Sequence, residues 1–566
     1  MLNPRWRKVL RDLWGNKTRT VLVVLSIAVG VFAMGMIVST QIVLSSELSA
    51  NFAAINPASA ELYPADFDEE LVQVVRRMDG IRDAEGRRGV RVRLKVGPDE
   101  WRILTLDAIY DYDDIRINKV TSESGAWPPP KRELLIERAS LSMTNADVGD
   151  TVVIETPDGK QREMRIAGLA HDLYKEPAQF SGRVYGYVTL DTLEWLGFSR
   201  DLDQLFILVA ENEGDKDHIQ AVADQVEDKI EKSGRTVYWI WIPPEPGKHP
   251  ADEIIQPLLI ILGVLGALSL LLSGFLVVNT ISALMAQQIR QIGIMKAVGA
   301  RVIQIVQMYL GMVLFFGLLS LVIAVPLGGL AAHALTRYLA GLLNFDLSGF
   351  RIPPQALALE AAVGLIVPLM AALYPIFSVA RITVREAISS YGLSKGLFGR
   401  NIIDQLVEGV TSAIRALSRP MRLSLRNTFR RKGRLALTLS TLTLGGAIFI
   451  AVLCVHASLA TTLDDALTYW NYDVEVEFSY PHRIAEIERE AKSVPGVVEA
   501  ESWGGNTARR VRPDGHEGPN LYVLAAPADT NMIQPTVLEG RWLLPDDENA
   551  VVVNTCLLYT SDAADE

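Results

Sequence analysis

The sequence predicts a polytopic α-helical membrane protein with mixed α/β extracytoplasmic domains. Its predicted plan is a tandem repeat of one span, an outside domain and three spans, with the second copy incomplete. Three observations carry that prediction. Five long stretches contain no Asp, Glu, Lys or Arg; positive and negative charge are segregated along the chain; and two parts of the chain match at an offset of 415 residues.

The five charge-free stretches are 20–46, 254–289, 302–336, 361–380 and 435–463, and crossing a bilayer takes about 20 apolar residues. A cleaved signal peptide has an apolar core of only about 7–15 residues, so the first stretch reads as a retained helix. Residues 1–20 carry a net charge of +5 and residues 381–434 a net +9, whereas 47–253 sums to about −15. Lys and Arg beside membrane helices mark the cytoplasmic side. The expectation is therefore a cell-membrane (plasma or inner) protein with a cytoplasmic N-terminus and segment 47–253 outside. The basic blocks abut membrane helices, which argues against nucleic acid as a partner.

In chain order, residues 1–19 read as a basic amphipathic helix, with Trp6, Val9, Leu10, Leu13 and Trp14 on one side. Such a helix lies at the cytoplasmic interface or extends the first span (20–46) inward. Segment 47–253 reads as α/β. Asp68–Met78 and Asp215–Lys232 have helical spacing. Val90–Val96, Trp101–Ala108, Thr151–Glu155, Glu163–Ala167, Arg183–Thr189 and Gln204–Val209 alternate as strands. Thr156-Pro157-Asp158-Gly159 signals a hairpin turn. Neither of the two cysteines falls in this domain, so no disulfide framework holds it.

The second span, 254–289, amounts to about 54 Å of helix and should project beyond a hydrocarbon core of about 30 Å. Gly263, Ala267 and Gly274 give it a small-residue face on which another helix could pack. A short basic cytoplasmic loop, 290–301, leads to the third span, 302–336; an outside loop, 337–360, leads to the fourth, 361–380. Then follow a basic linker, 381–434, the fifth span, 435–463, and the start of a second outside domain, 464–555.

The repeat is the most informative feature. Leu10-Arg11 matches Leu425-Arg426, Lys17 matches Lys432, Arg19 matches Arg434 and Gly30 matches Gly445; further on, Gly125-Ala126-Trp127 matches Gly540-Arg541-Trp542. A duplication carried to its end would have eight spans in about 800 residues. The final segment, 556–566, resembles a translated adapter from transposase-based sequencing libraries and is expected to be an artefact.

Span, large outside domain and three spans, in that order, resemble the FtsX/MacB-like permeases of ABC transporters. Gln287-Gln288-Ile289-Arg290-Gln291-Ile292-Gly293-Ile294-Met295-Lys296-Ala297-Val298-Gly299-Ala300 looks like that family's signature at the cytoplasmic end of its second helix. Arg381-Ile382-Thr383-Val384-Arg385-Glu386-Ala387-Ile388 looks like its ending after the fourth. Gly149-Asp150-Thr151-Val152 followed by Ile166-Ala167-Gly168 resembles strands of its outside domain. The resemblance implies a permease driven by a separate ATPase, present in two copies, which binds the ATP and Mg; this chain itself is expected to hold no cofactor. It also implies mechanotransmission, in which ATPase motion travels along helices to the outside domain and acts on an amphipathic cargo such as a lipid, lipoprotein, peptide or drug. Membrane lipids and an outside accessory protein are the remaining expected partners. MacB carries a fused ATPase domain; this chain has no GxxxxGK[ST] motif and departs from MacB there.

The coupling site is expected in loop 290–301. Ile292, Ile294 and Val298 would seat on the ATPase, with Arg290, Lys296 and Arg301 supplying charge at the rim and Gly299 permitting the turn. The alternative is a signal relay of the same build that regulates an outside hydrolase or senses an antibiotic. A membrane-anchored enzyme would need a catalytic constellation. The seven histidines (171, 218, 249, 333, 456, 482 and 516) form no HExxH or Cys/His pattern, and no catalytic or metal-ligand spacing is found.

Overall fold

A computed structural model describes residues 4–15, 17–389, 432–476, 478, 482–511, 517–555 and 557. Five helices within them are long and apolar enough to cross a membrane. The chain divides into two units, with the boundary between Phe449 and Ile450.

In the first unit, α1 (Pro4–Gly15) precedes α2 (Lys17–Ala54). Val9 and Leu13 of α1 are buried against residues of α2, α7 (Asp252–Ala297) and α8 (Val302–Leu342), while Trp14 is exposed. With α9 (Pro354–Ala380), α7 and α8 are the other long helices of this unit. Each outruns its charge-free core, because helix geometry continues wherever the backbone can hydrogen-bond and side chains reach water. The 46 residues of α7 amount to about 69 Å. The segment between α8 and α9 is accordingly 343–353, shorter than the expected loop 337–360.

Helix α2 packs against α7, α8 and α9, and close approach is made at residues without bulk. A Cβ at Gly30 would lie 2.7 Å from the Cβ of Ser273, whose Oγ donates to the carbonyl of Ser26 at 2.7 Å. A Cβ at Gly317 of α8 would lie 2.7 Å from the carbonyl oxygen of Gly364 of α9. The expected small-residue face of α7 is displaced. Gly263 has no neighbour within 4 Å of an added Cβ, and Ala267 is exposed; Gly266, beside Ile37 of α2, and Ser273 make the contact instead. Composition identified the small residues, but the rotation of the helix selected which of them pack.

Between α2 and α7 lies the α/β domain: β1 (Ala60–Pro64), α3 (Glu69–Arg76), β2 (Ile81–Lys95), β3 (Trp101–Ile109), β4 (Thr121–Gly125), β5 (Glu133–Glu137), β6 (Thr151–Glu155), β7 (Gln161–His171), α4 (Ala178–Ser181), β8 (Val184–Val188), α5 (Leu190–Leu196), β9 (Gln204–Val209), α6 (Lys216–Lys232) and β10 (Val237–Trp241). The strand order is β10-β1-β9-β2-β3-β8-β5-β7-β4, and β6 pairs with both β2 and β7. Those pairings close a ring, β2-β3-β8-β5-β7-β6-β2, with β3–β8 and β5–β7 parallel and the rest antiparallel. Val90, Val92 and Leu94 point inward while Arg91, Arg93 and Lys95 stay exposed, the period-two alternation of a strand with one dry face. Leu104, Leu106, Leu134, Ile154 and Ile166 join the same core.

The expected strands Thr151–Glu155 and Gln204–Val209 are β6 and β9. Asp68 and Asp215 cap α3 and α6 by accepting backbone N–H bonds. Thr156–Gly159 joins β6 to β7, with Gly159 at φ +77°. Strands β1, β4, β5 and β10 carried no clear alternation. Glu-Leu-Leu-Ile-Glu of β5 is a continuous apolar run of the kind found in parallel pairs, and Thr-Ser-Glu-Ser-Gly of β4 is an exposed edge.

Past α9, α10 (Val384–Ser389) packs against α7; most of the basic linker 381–434 lies outside the described residues. Helix α11 (Lys432–Tyr469) crosses the boundary between the units. The second unit continues with α12 (Ile484–Ser493) and an antiparallel hairpin of β11 (Gly504–Val511) and β12 (Glu517–Ala525). The expected artefact 556–566, apart from Leu557, also lies outside the described residues.

Candidate functional site

The expected coupling loop is largely helix. Residues 290–297 form the last two turns of α7, and only Val298–Arg301 make the turn. Gly299 has φ +99°. The N–H of Ala300 reaches the carbonyl of Met295 at 2.9 Å, and that of Gly299 reaches Lys296 at 3.0 Å. This 6→1 and 5→2 pairing is the helix stop that favours glycine. Arg301 caps α8, its backbone N–H donating to Gln304 Oε1 at 3.1 Å.

The structure separates the seven expected coupling residues. Ile292 is 1% exposed and packs inside its own chain, so it presents nothing to a partner. Lys296 donates from Nζ to the carbonyl of Ile382 at 2.6 Å, tying the end of α7 to the start of α10. Arg290, Ile294, Val298, Gly299 and Arg301 are exposed, Val298 at 85%. A helix end offers its outer face and keeps its inner face, and residue type alone does not distinguish them.

At the other end of α8 lies a junction that the sequence did not advertise. Asn344, 5% exposed and at φ +61°, follows the C-cap Leu343. Phe345 N–H closes back on the carbonyl of Ala340 at 3.0 Å, the same helix stop with Asn in place of Gly. The Asn344 side chain donates from Nδ2 to Glu137 Oε1 at 2.8 Å and accepts at Oδ1 from Arg138 Nε at 2.8 Å. Its carbonyl accepts from Arg138 Nη2 at 3.0 Å and lies 2.8 Å from His171 Nε2. The residue that ends α8 therefore clamps the ends of β5 and β7.

Two further ties hold the outer ends of the helices. Glu47 of α2 accepts from Ser348 Oγ at 2.6 Å and pairs with Arg351 at 2.8 Å. Beyond α2, the backbone of 55–58 hydrogen-bonds to 118–119. That strip is held in turn by Arg87, which is 1% exposed; its guanidinium reaches the carbonyls of Ile117 and Asn118 and Glu85 Oε1 at 2.6–3.0 Å. Leu44, Leu48, Phe52, Leu173, Leu259 and Phe345 fill the space between the ties.

Burial pushes the Glu137 carboxyl up to about 7, with nearby Asp172 adding to the rise, against the hydrogen bonds from Asn344, Ser140 and Ala139 that favour the anion. Glu123, His171 and Asp346 place potential ligand atoms within 4.8 Å of one another. Arg138 bonds both of these carboxylates and His171 already meets the Asn344 carbonyl, so an ion-pair network accounts for the grouping. An open groove of about 700 Å³ adjoins it, lined by Arg138, Gln179, His333, Arg337, Asn344 and Asp346 among others.

Asn344→Gly keeps the left-handed backbone and removes the clamp, so thermal unfolding in detergent should show a loss of about 1–3 kcal/mol. Asn344→Ala should cost about 1–2 kcal/mol more for the strained φ. In the same assay the Glu137 contribution has a defined sign. Its folded value lies above the model-peptide value of about 4.5, so the folded state holds the extra proton and stability falls as pH rises from 4.5 to about 7; Glu137→Gln should flatten that slope.

The FtsX-like permease C-terminal family matches residues 263–384, from within α7 to the start of α10. No curated protein sequence matches the chain. Among solved structures, the extracellular domain of the noncanonic ABC-type transporter YknZ from Gram-positive bacteria is similar at 14% identity and TM-score 0.24, covering 32% of this chain and 100% of that one. The periplasmic region of MacB from Actinobacillus actinomycetemcomitans is similar at 11% identity and TM-score 0.24, covering 37% of this chain and 95% of that one. The match over α7, α8 and α9 includes both the inner turn and Asn344. Over residues 263–384 the chain is similar to the FtsX-like permease C-terminal family.

Proposed function

We propose that this chain is the permease subunit of an ABC transporter, coupling ATP hydrolysis on a separate ATPase to export or membrane extraction of an amphipathic cargo. The observation that carries this reading is the continuity of α8. It is one 41-residue helix, about 62 Å long. Its inner end meets the turn that exposes Ile294 and Val298, and its outer end finishes in the Asn344 clamp on the sheet domain. Motion imposed on the turn reaches β5 and β7 along one continuous helix, interrupted in its hydrogen bonding only at Pro326.

In this proposal Ile294 and Val298 are the apolar contacts, Arg290 and Arg301 the charged rim, and Lys296 braces α7 on the α10 side. ATP and Mg belong to the ATPase, of which two copies bind one full-length permease. The tandem arrangement behind that ratio is supported by three correspondences. Helices α2 and α11 end 415 residues apart, at Ala54 and Tyr469. The N-caps of α3 and α12, Asp68 and Arg483, are also 415 apart. In each copy an antiparallel strand pair then follows.

Co-purification with the ATPase tests the coupling. Ile294→Glu with Val298→Glu should weaken ATPase binding roughly tenfold or more while leaving the permease folded; wild-type stimulation by this variant would refute the assignment. If ATPase stimulation occurs without movement of any cargo, the signal-relay reading takes its place. For topology, in a Cys454→Ser, Cys556→Ser background, Tyr110→Cys should react with an impermeant maleimide from outside intact cells. Arg290→Cys should react only after lysis, and the reverse pattern would invert the orientation.

A further inference from the structure

Glu360 sits in α9, within the membrane-spanning part of the chain, and is 1% exposed. Neither carboxyl oxygen has a hydrogen-bond partner. Its head fills the space left by a missing side chain on α2: a Cβ at Gly35 would lie 2.1 Å from Oε1 and 2.4 Å from Cδ, and one at Gly328 of α8 would lie 3.9 Å from Oε1. The carboxyl is therefore held where α2, α8 and α9 meet. One turn further along α2, the hydroxyls of Ser39 and Thr40 are also buried and without partners.

An ionised carboxylate in that position would have neither a counter-ion nor a donor in a setting that excludes water, which is the costly way to bury it. Protonated, it is a neutral group that fits the gap beside Gly35. Neither carboxyl oxygen meets a base or cation that could take the proton's place. Residues 20–46 of α2, 254–289 of α7 and 361–380 of α9 contain no charged residue; α8 carries His333 and Arg337, and Arg337 lines the groove beside Asn344. That histidine stacks edge-to-face on Phe350, with centroids 5.4 Å apart. Glu47 and Arg351, at the outer end, are paired with each other.

We propose that Glu360 is a proton-binding site built into the junction of α2, α8 and α9. Its carboxylate takes a proton from water at the outer face when the junction is closed. When the proton is released to water, the remaining anion draws water between the helices and parts α2 from α8, the rod that ends at Asn344. The permease's helix packing is thereby linked to proton occupancy, independently of whether an ATPase drives it.

The test uses the purified full chain in lipid nanodiscs, treated with dicyclohexylcarbodiimide, which modifies protonated carboxyls in apolar surroundings. Labelling is read by peptide mass spectrometry from about pH 5 to about pH 9. Labelling at Glu360 that is full at the acid end and lost as pH rises supports the proposal. Absent or pH-invariant labelling overturns it, and so does protection by sodium ions at constant pH, which would make this a metal-cation site. Thermal unfolding supplies the second readout. A protonated folded form predicts that the wild-type midpoint drops as pH rises, that Glu360→Gln remains folded with a shallower drop than wild type, and that Gly35→Ala is destabilised at every pH by displacing the carboxyl. A Glu360→Gln protein destabilised as much as Gly35→Ala would overturn the neutral-acid assignment.

Discussion

The stop of α8 at Asn344 is the constraint on which the rest of the first unit depends. A helix leaves its last carbonyls unpaired, and here the closing turn requires a left-handed residue. Glycine would meet the backbone need alone. Asparagine meets it at φ +61° and adds a side chain that both donates and accepts. Those groups engage Glu137 and Arg138 on the sheet domain, so one residue terminates the helix and docks the domain. Phe345, just beyond, is 3% exposed and packs with Ala340, which adds apolar area to a polar clamp.

The inner turn uses the same backbone device with the opposite chemistry. Gly299 closes α7 without a side chain and leaves the surrounding surface, Ile294 and Val298 above all, open to a partner. The α7–α8–α9 segment thus has one end sealed within the chain and one end available. Between the two, Gly317, Gly364 and Ser273 bring helices close enough that displacement of one must be felt by its neighbours. The sheet domain is stiffened where the clamp attaches: its strand ring closes on itself, and buried Arg87 holds the strip that continues α2 into the sheet.

Much of this was legible in the sequence because it follows from local periodicity. Charge-free runs marked all five long helices. Alternation located β6 and β9, and Asp68 and Asp215 marked helix starts. The turn at Gly299 was also read, since no other residue type accepts that backbone as readily. What escaped had identifiable causes. Strand β5 lacks alternation because it is buried between β8 and β7, and β4 lacks it because it is an exposed edge. Glu360 itself ends the charge-free run, which therefore begins at Ala361 although α9 begins at Pro354.

By itself, then, the sequence determined that the chain has helices long and apolar enough to cross a membrane, where those helices and many strands lie, and that a glycine turn follows the second long helix. Those properties arise from hydrophobicity, charge and backbone preference over a few consecutive residues. Only the tertiary structure decided that Ile292 turns inward and Ile294 outward, that Gly266 rather than Gly263 meets α2, and that Asn344 finds Glu137 and Arg138 some 206 residues earlier in the chain. It alone placed the Glu360 carboxyl against Gly35. Each of these depends on the rotation of one element against another, a quantity set by packing across the whole unit that no local window of sequence contains.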